Sequence, residues 1–389
     1  MNKVAVIGGL RTPIGKLGGA LREVRPPVMA SIVIKELVNI TKLDTSKIDS
    51  VIMGEALYAG MGQNPARQAS IFSGIPYSAN AFCINETHGS GMKAITGAAS
   101  KILGEGSHVI MAGGMESMTQ APYLLNGLRF GVKFGNVTTI DSMIYDGLWD
   151  YYNNFHMGVT GEIVAQKYGI SREEMDLYSV ESNKRAALAK DKLKEEIVKI
   201  DNLYTKKSDM DSDEAVVPDL NIDTLSGLPP IFREDGKITA GNTARIADGA
   251  AVLLLSSEES AEENDLKPAA YITGYQSHGT TPEYSMEAPI DLYRSLTEKL
   301  GLTVSDIDLI EYNELFAAAA LSFKKELSIP DDKLNVNGGA IASGDPMAAG
   351  SARIVISLIK ELQRRNGKRG LAITPSGGGI AEGIIVELP

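Results

Sequence analysis

Short runs of β-branched and other apolar residues alternate with longer stretches whose apolar positions recur every three or four residues, most clearly at the two ends of the chain. VAVIGG (4–9), SVIMGEAL (50–57), HVIMAGG (108–114), AVLLLSS (251–257), DLIEYNE (308–314), GLAITPSGGG (370–379) and GIIVELP (383–389) read as strands. Most are continuously apolar, as in a sheet covered on both faces. ASIVIKELVNI, GSGMKAITGAASKIL and SARIVISLIKELQRR carry helical spacing. The alternation predicts an α/β fold.

The pattern also repeats. SKIDSVIMGEA (46–56) and SDIDLIEYNEL (305–315) share Ser, Ile-Asp and Glu at a constant offset of 259 residues, and each half ends in a strand that enters glycines. Two copies of one α/β unit are expected. The offset carries position 88 to 347, which places His88 of the first copy close to Asp345 of the second. Residues 118–245, with the Asp/Asn/Lys-rich stretch DNLYTKKSDMDSDEAVV, read as an insertion that covers the site between the copies. The expected division is 1–117 for the first part of the N-terminal half, 118–245 for a loop domain with the end of that half, and 246–389 for the C-terminal half.

Composition narrows the function. At 389 residues and 43% apolar content the chain can bury a substantial core. A formal charge of −11 and the lack of a Lys/Arg cluster argue against nucleic acid and anionic membrane partners. The N-terminal stretch breaks at Gly8-Gly9, and no run approaches the roughly 18 apolar residues of a membrane span. A cytoplasmic location is expected. Cys83 is the only cysteine, which excludes an internal disulfide and a cysteine-cluster metal site. The four histidines are too scattered for a metal site, and His108 and His278 read as structural or surface residues.

Eight motifs in order resemble those of the thiolase family, condensing enzymes that join or split acyl chains carried on coenzyme A. They are RTPIGKLGG (11–19), GQNPARQAS (62–70), AGGMESMTQAPY (112–123), HMGVTGE (156–162), ITAGNTARIADGAA (238–251), NELFAAAA (313–320), NVNGGAIASGDP (335–346) and GGG (377–379). The resemblance implies two βαβαβαββ halves in a five-layered α-β-α-β-α core, an inserted loop domain, and a homodimer or homotetramer. It implies a coenzyme A thioester as substrate and no covalently bound cofactor. At the family's three reactive positions, two cysteines and a histidine, this chain has His88, Pro375 and Asp345. Asn313 matches the family's oxyanion-hole asparagine, and the backbone N–H groups of His88 and Gly377 match its second oxyanion hole. His156, with its neighbour Met157, matches the wall of the pantetheine tunnel. Ala244 and Arg245 stand where the family has serine and glycine.

A thiolate is both a strong nucleophile and a leaving group matched to coenzyme A; imidazole does not replace it simply. Cys83, five residues before His88, reads as a small buried residue. At a helix start His88 is favoured in its neutral form. With Asp345 to orient it, His88 would activate a water or a carbon acid. This favours hydrolysis, retro-Claisen cleavage or decarboxylation. The competing readings are conventional acetyl-CoA acetyltransferase activity and a non-catalytic binding or assembly subunit. An ionised Asp345 would repel a developing enolate, so family chemistry requires it to be protonated or turned away. Arg245 has three readings: contact with a phosphate, contact with a substrate carboxylate, or narrowing of the tunnel.

Overall fold

The computed structural model describes residues 3–104, 106–206 and 208–389. In the first unit, β1 (Val4–Arg11), β2 (Ser50–Gly54), β3 (Asn80–Ile84), β4 (Val109–Ser117) and β5 (Ala247–Ser257) lie in the order β3-β2-β4-β5-β1. The first two pairings are parallel and the last two antiparallel. The second unit contains β6 (Ala270–Gly279), β7 (Leu309–Tyr312), β8 (Arg369–Ser376) and β9 (Ile380–Glu387), in the order β7-β8-β9-β6. It again runs from a parallel pairing to two antiparallel ones. A parallel bridge from Leu334 to Ile310 stands where β3 stands in the first unit. The two units meet edge to edge through Val4–Val6 and Ala270–Ile272.

The main helices are α1 (Pro26–Thr41), α2 (Pro65–Phe72), α3 (Ser90–Gly104), α4 (Gly158–Lys167), α5 (Arg172–Leu193), α6 (Ala288–Leu300), α7 (Ala317–Glu326) and α8 (Ala348–Arg365). The continuous apolar strands follow from the layering, because successive side chains of a strand face opposite cores. Val109 and Met111 of β4 join the core under α1 and α2, whereas Ile110 and Ala112 join the one formed by α3 and α8. That central core also takes Ala372 and Ile384 from the second unit, whose other face packs under α6 and α7. Helix α8 therefore departs from the one-sided pattern expected of it: every residue from Ala348 to Ile359 is buried.

The repeat appears directly in three dimensions. The Met92 N–H at the start of α3 donates to Ser351 Oγ near the start of α8 at 3.1 Å, and the two residues are 259 positions apart. Glycine permits this approach. A Cβ on Gly91 would lie 2.2 Å from the Ala348 carbonyl oxygen, and one on Gly114 would lie 2.1 Å from it. Three sequence expectations need correction. Strands β3 and β6 were not expected, because NAFCI is short and AYITGYQSHG mixes polar residues with apolar ones. The boundary at 246 is displaced: Ala247–Ser257 pairs with β1 and β4 and so completes the first unit.

Candidate active site

Two loops bring the reactive residues together from the two repeats. His88 lies in the turn Thr87–Gly89, immediately before α3. Its backbone is held from the other repeat. Ser376 Oγ accepts the Gly89 N–H at 3.0 Å and donates to the Glu86 carbonyl at 2.5 Å, while lying 2.6 Å from Thr87 Oγ1. Thr87 takes a left-handed backbone (φ 45°), as does Met347 (φ 38°), the residue before α8. Asp345 is fixed by its own N–H, which donates to the Arg245 carbonyl at 2.8 Å.

His88 Nε2 lies 3.8 Å from Asp345 Oδ2, and each residue is only 4% exposed. Burial pushes His88 down to about 4. Burial pushes Asp345 up to about 7, against the opposing influence of Arg353 and the Asn313 carboxamide. Near neutral pH a neutral imidazole therefore faces a carboxyl close to its midpoint. The pair is within salt-bridge distance, but this is not a fixed ion pair. Asp345 thus holds its proton more readily than an ordinary carboxyl, and His88 less readily than an ordinary imidazole. Glu116, buried nearby, is also pushed up to about 7, chiefly by burial, with Asp345 adding to the shift. It accepts the Ala56 N–H at 3.0 Å and the Leu57 N–H at 3.1 Å.

His88 and Asp345 border a cleft of about 470 Å³ that His156, Met157, Ala244 and Arg245 also line. Six of the residues singled out from sequence thus share one cavity. Much of the rest of the wall is apolar and comes from the insertion: Met118, Ile144, Leu148, Ile231 and Phe232. Phe232, which no motif in the sequence singles out, stacks on His156 with ring centroids 4.7 Å apart. His156 Nδ1 accepts the Gly158 N–H at 3.0 Å, and burial lowers its proton affinity.

Two of the expected oxyanion donors have partners within the chain. The Gly377 N–H donates to Thr87 Oγ1 at 3.0 Å, so it already has a partner. Asn313 is wholly buried and does not line the cleft; its Nδ2 donates to Thr374 Oγ1 at 3.3 Å. The Asn313 carboxamide favours the Asp345 carboxylate. Pro375 lies within β8, opposite Ala381 of β9. Cys83 lies apart from the cleft: its sulfur accepts the Ala66 N–H at 3.3 Å, and burial pushes the thiol up to about 12. Among the described residues, no group of three or more His, Cys, Asp or Glu is placed to hold a metal ion, and no helix is long and apolar enough to cross a membrane.

The paired units of five and four strands, the central helices and the interrepeat cleft define a thiolase fold. Profiles of the thiolase N-terminal and C-terminal domains match residues 4–259 and 266–388, and the chain belongs to the thiolase family. It is 44% identical to an acetyl-CoA acetyltransferase of Chromobacterium violaceum over the full length of both chains. It is 40% identical to a probable acetyl-CoA acyltransferase of Staphylococcus aureus, covering all of this chain and 99% of that one. Two crystal structures superpose with a TM-score of 0.96 over the whole chain. Human mitochondrial 3-ketoacyl-CoA thiolase in complex with CoA is 34% identical with 98% of its chain covered, and Bacillus anthracis acetyl-CoA acetyltransferase is 36% identical with 99% covered.

Proposed function

We propose that the cleft receives the acyl end of a coenzyme A thioester and that Asp345 and His88 cleave a β-ketoacyl group there with water. The reading rests chiefly on one observation: His88 and Asp345, shifted in opposite directions by burial, face each other at 3.8 Å on the wall of a largely apolar cleft. The Asp345 carboxylate removes a proton from water as its oxygen bonds to the β-carbonyl carbon. The bond between the α- and β-carbons then breaks, and its electron pair becomes the enolate of the shorter thioester. The Asp345 carboxyl returns the proton to the α-carbon, and the products are a free carboxylic acid and a shortened acyl-CoA. His88, as a neutral imidazole, donates its N–H to the oxygen that gains charge.

A second reading, acyl transfer between thioesters, is favoured by the names of the relatives that match along the full chain. The two readings differ in stoichiometry. Acetoacetyl-CoA incubated with the purified protein is expected to disappear at a rate independent of added coenzyme A, yielding one acetate and one acetyl-CoA per molecule consumed. Two acetyl-CoA per molecule, formed only when coenzyme A is supplied, would establish transfer instead. No turnover under either condition would remove both readings and favour a binding subunit.

A further inference from the structure

Arg245 is the least explained group on the cleft wall. Its guanidinium donates to the Ala215 carbonyl, and among the described residues it forms no ion pair. A guanidinium carries five N–H donors, so one carbonyl leaves most of them available. The surroundings do not supply the missing anion. Lys16, the other cation lining the cleft, is 3.9 Å from Glu214 and so has a counter-ion. Arg245 is half-buried beside Ile246 and Leu315, where a lone cation loses hydration without recovering it from a carboxylate.

Its place along the cleft restricts what that anion is. The Arg245 carbonyl accepts the Asp345 N–H at 2.8 Å, and the Ala244 N–H donates to the Leu315 carbonyl at 2.9 Å. Residues 244 and 245 are therefore fixed beside the reacting pair. With the β-carbonyl carbon at His88 and Asp345, the phosphates of coenzyme A lie more than a full pantetheine arm away. A charged group on the acyl chain lies within a few bonds. Guanidinium is also the side chain best matched to two carboxylate oxygens at once.

We infer that Arg245 is a specificity-determining residue that pairs with a free carboxylate on the acyl group, making dicarboxylic acyl thioesters the preferred substrate class. This rests on the reading of the cleft as a coenzyme A thioester site. Arg245 takes no part in bond breaking; it selects and orients.

Two stable thioethers test the inference by titration calorimetry: S-butyl-CoA and S-(3-carboxypropyl)-CoA, which share a chain length and differ by the carboxylate, with coenzyme A as reference. The wild-type protein is expected to bind the carboxypropyl compound about 10- to 100-fold more tightly than the butyl compound, the range of a charge-assisted hydrogen bond. Arg245→Gln should abolish that preference, with a melting temperature and circular dichroism spectrum matching wild type to show that the variant retains its fold. Arg245→Lys should keep part of the preference. Equal wild-type affinities for the two thioethers would overturn the inference while sparing the thioester reading. An equal loss for all three ligands in Arg245→Gln would also overturn it, assigning Arg245 to a phosphate. Failure of the wild-type protein to bind any of the three would overturn the thioester reading and the inference together.

Discussion

Asp345→Asn is expected to lower kcat for acetoacetyl-CoA cleavage by about 10²–10⁴-fold, the usual contribution of a positioned general base, with KM changing far less. Asparagine preserves the shape and the hydrogen-bonding neighbourhood but takes up no proton. The pH dependence should identify the same group. With Asp345 pushed up to about 7, wild-type kcat should rise with pH through that region, and the variant should lose this limb. Stability should change in the opposite sense from an ordinary carboxylate. An acid whose folded-state affinity for its proton is raised binds that proton more tightly when native, so stability falls as pH rises from about 4 towards about 7. Asp345→Asn removes this slope. At pH 8 its melting temperature should equal or exceed that of the wild-type protein, whereas a purely structural Asp345 would give a lower one. His88, pushed down to about 4, contributes oppositely: stability associated with it is lost as pH falls from about 6.5 towards about 4.

Gly91→Ala is expected to destabilise the fold by about 3 kcal/mol or more, at the upper end of the cost of overfilling a packed interior. The added methyl would sit 2.2 Å from the Ala348 carbonyl oxygen, a backbone atom in the first turn of α8, with Ala352 Cβ at 3.1 Å and Ser351 Oγ at 3.2 Å. Relief requires α3 and α8 to separate, which also displaces His88 and Asp345 at their entrances. Gly97→Ala on the same helix should do the reverse. Its nearest neighbour would be Ile84 Cδ1 at 3.6 Å, an ordinary contact, so the better helix former should gain about 0.5–1 kcal/mol. Denaturant midpoints moving in opposite directions at unchanged slope would bear this out. Destabilisation of equal size in both variants would mean that helix propensity or burial, rather than the Ala348 contact, governs α3.

The sequence made different parts of the molecule legible for different physical reasons. Strands β4 and β5 were readable because both of their faces are buried, which forces an uninterrupted apolar run. The repeat was readable because SKIDSVIMGEA and SDIDLIEYNEL share Ser, Ile-Asp and Glu at one offset, and the same separation reappears in the Met92–Ser351 hydrogen bond. That offset also foretold the meeting of His88 with Asp345. Their opposite shifts in proton affinity were not readable, because these depend on how deeply each is buried and on what Arg353 and Asn313 contribute. Asn313 and Gly377 illustrate the same limit. Residue type marks a donor, but only geometry shows that the Asn313 amide turns to Thr374 and that the Gly377 N–H is taken by Thr87. Phe232 carried no signal at all, since its place against His156 is set by the path of the insertion.

The proposed cleavage by an oxygen-centred base forms no acyl-protein thioester, and the chain's only thiol allows this to be checked. Cys83→Ser should turn over acetoacetyl-CoA at the wild-type rate, and intact-mass spectra of acid-quenched wild-type protein should show no acyl adduct during turnover. Loss of activity in Cys83→Ser, together with an acylated peptide containing residue 83 in the wild-type protein, would contradict it.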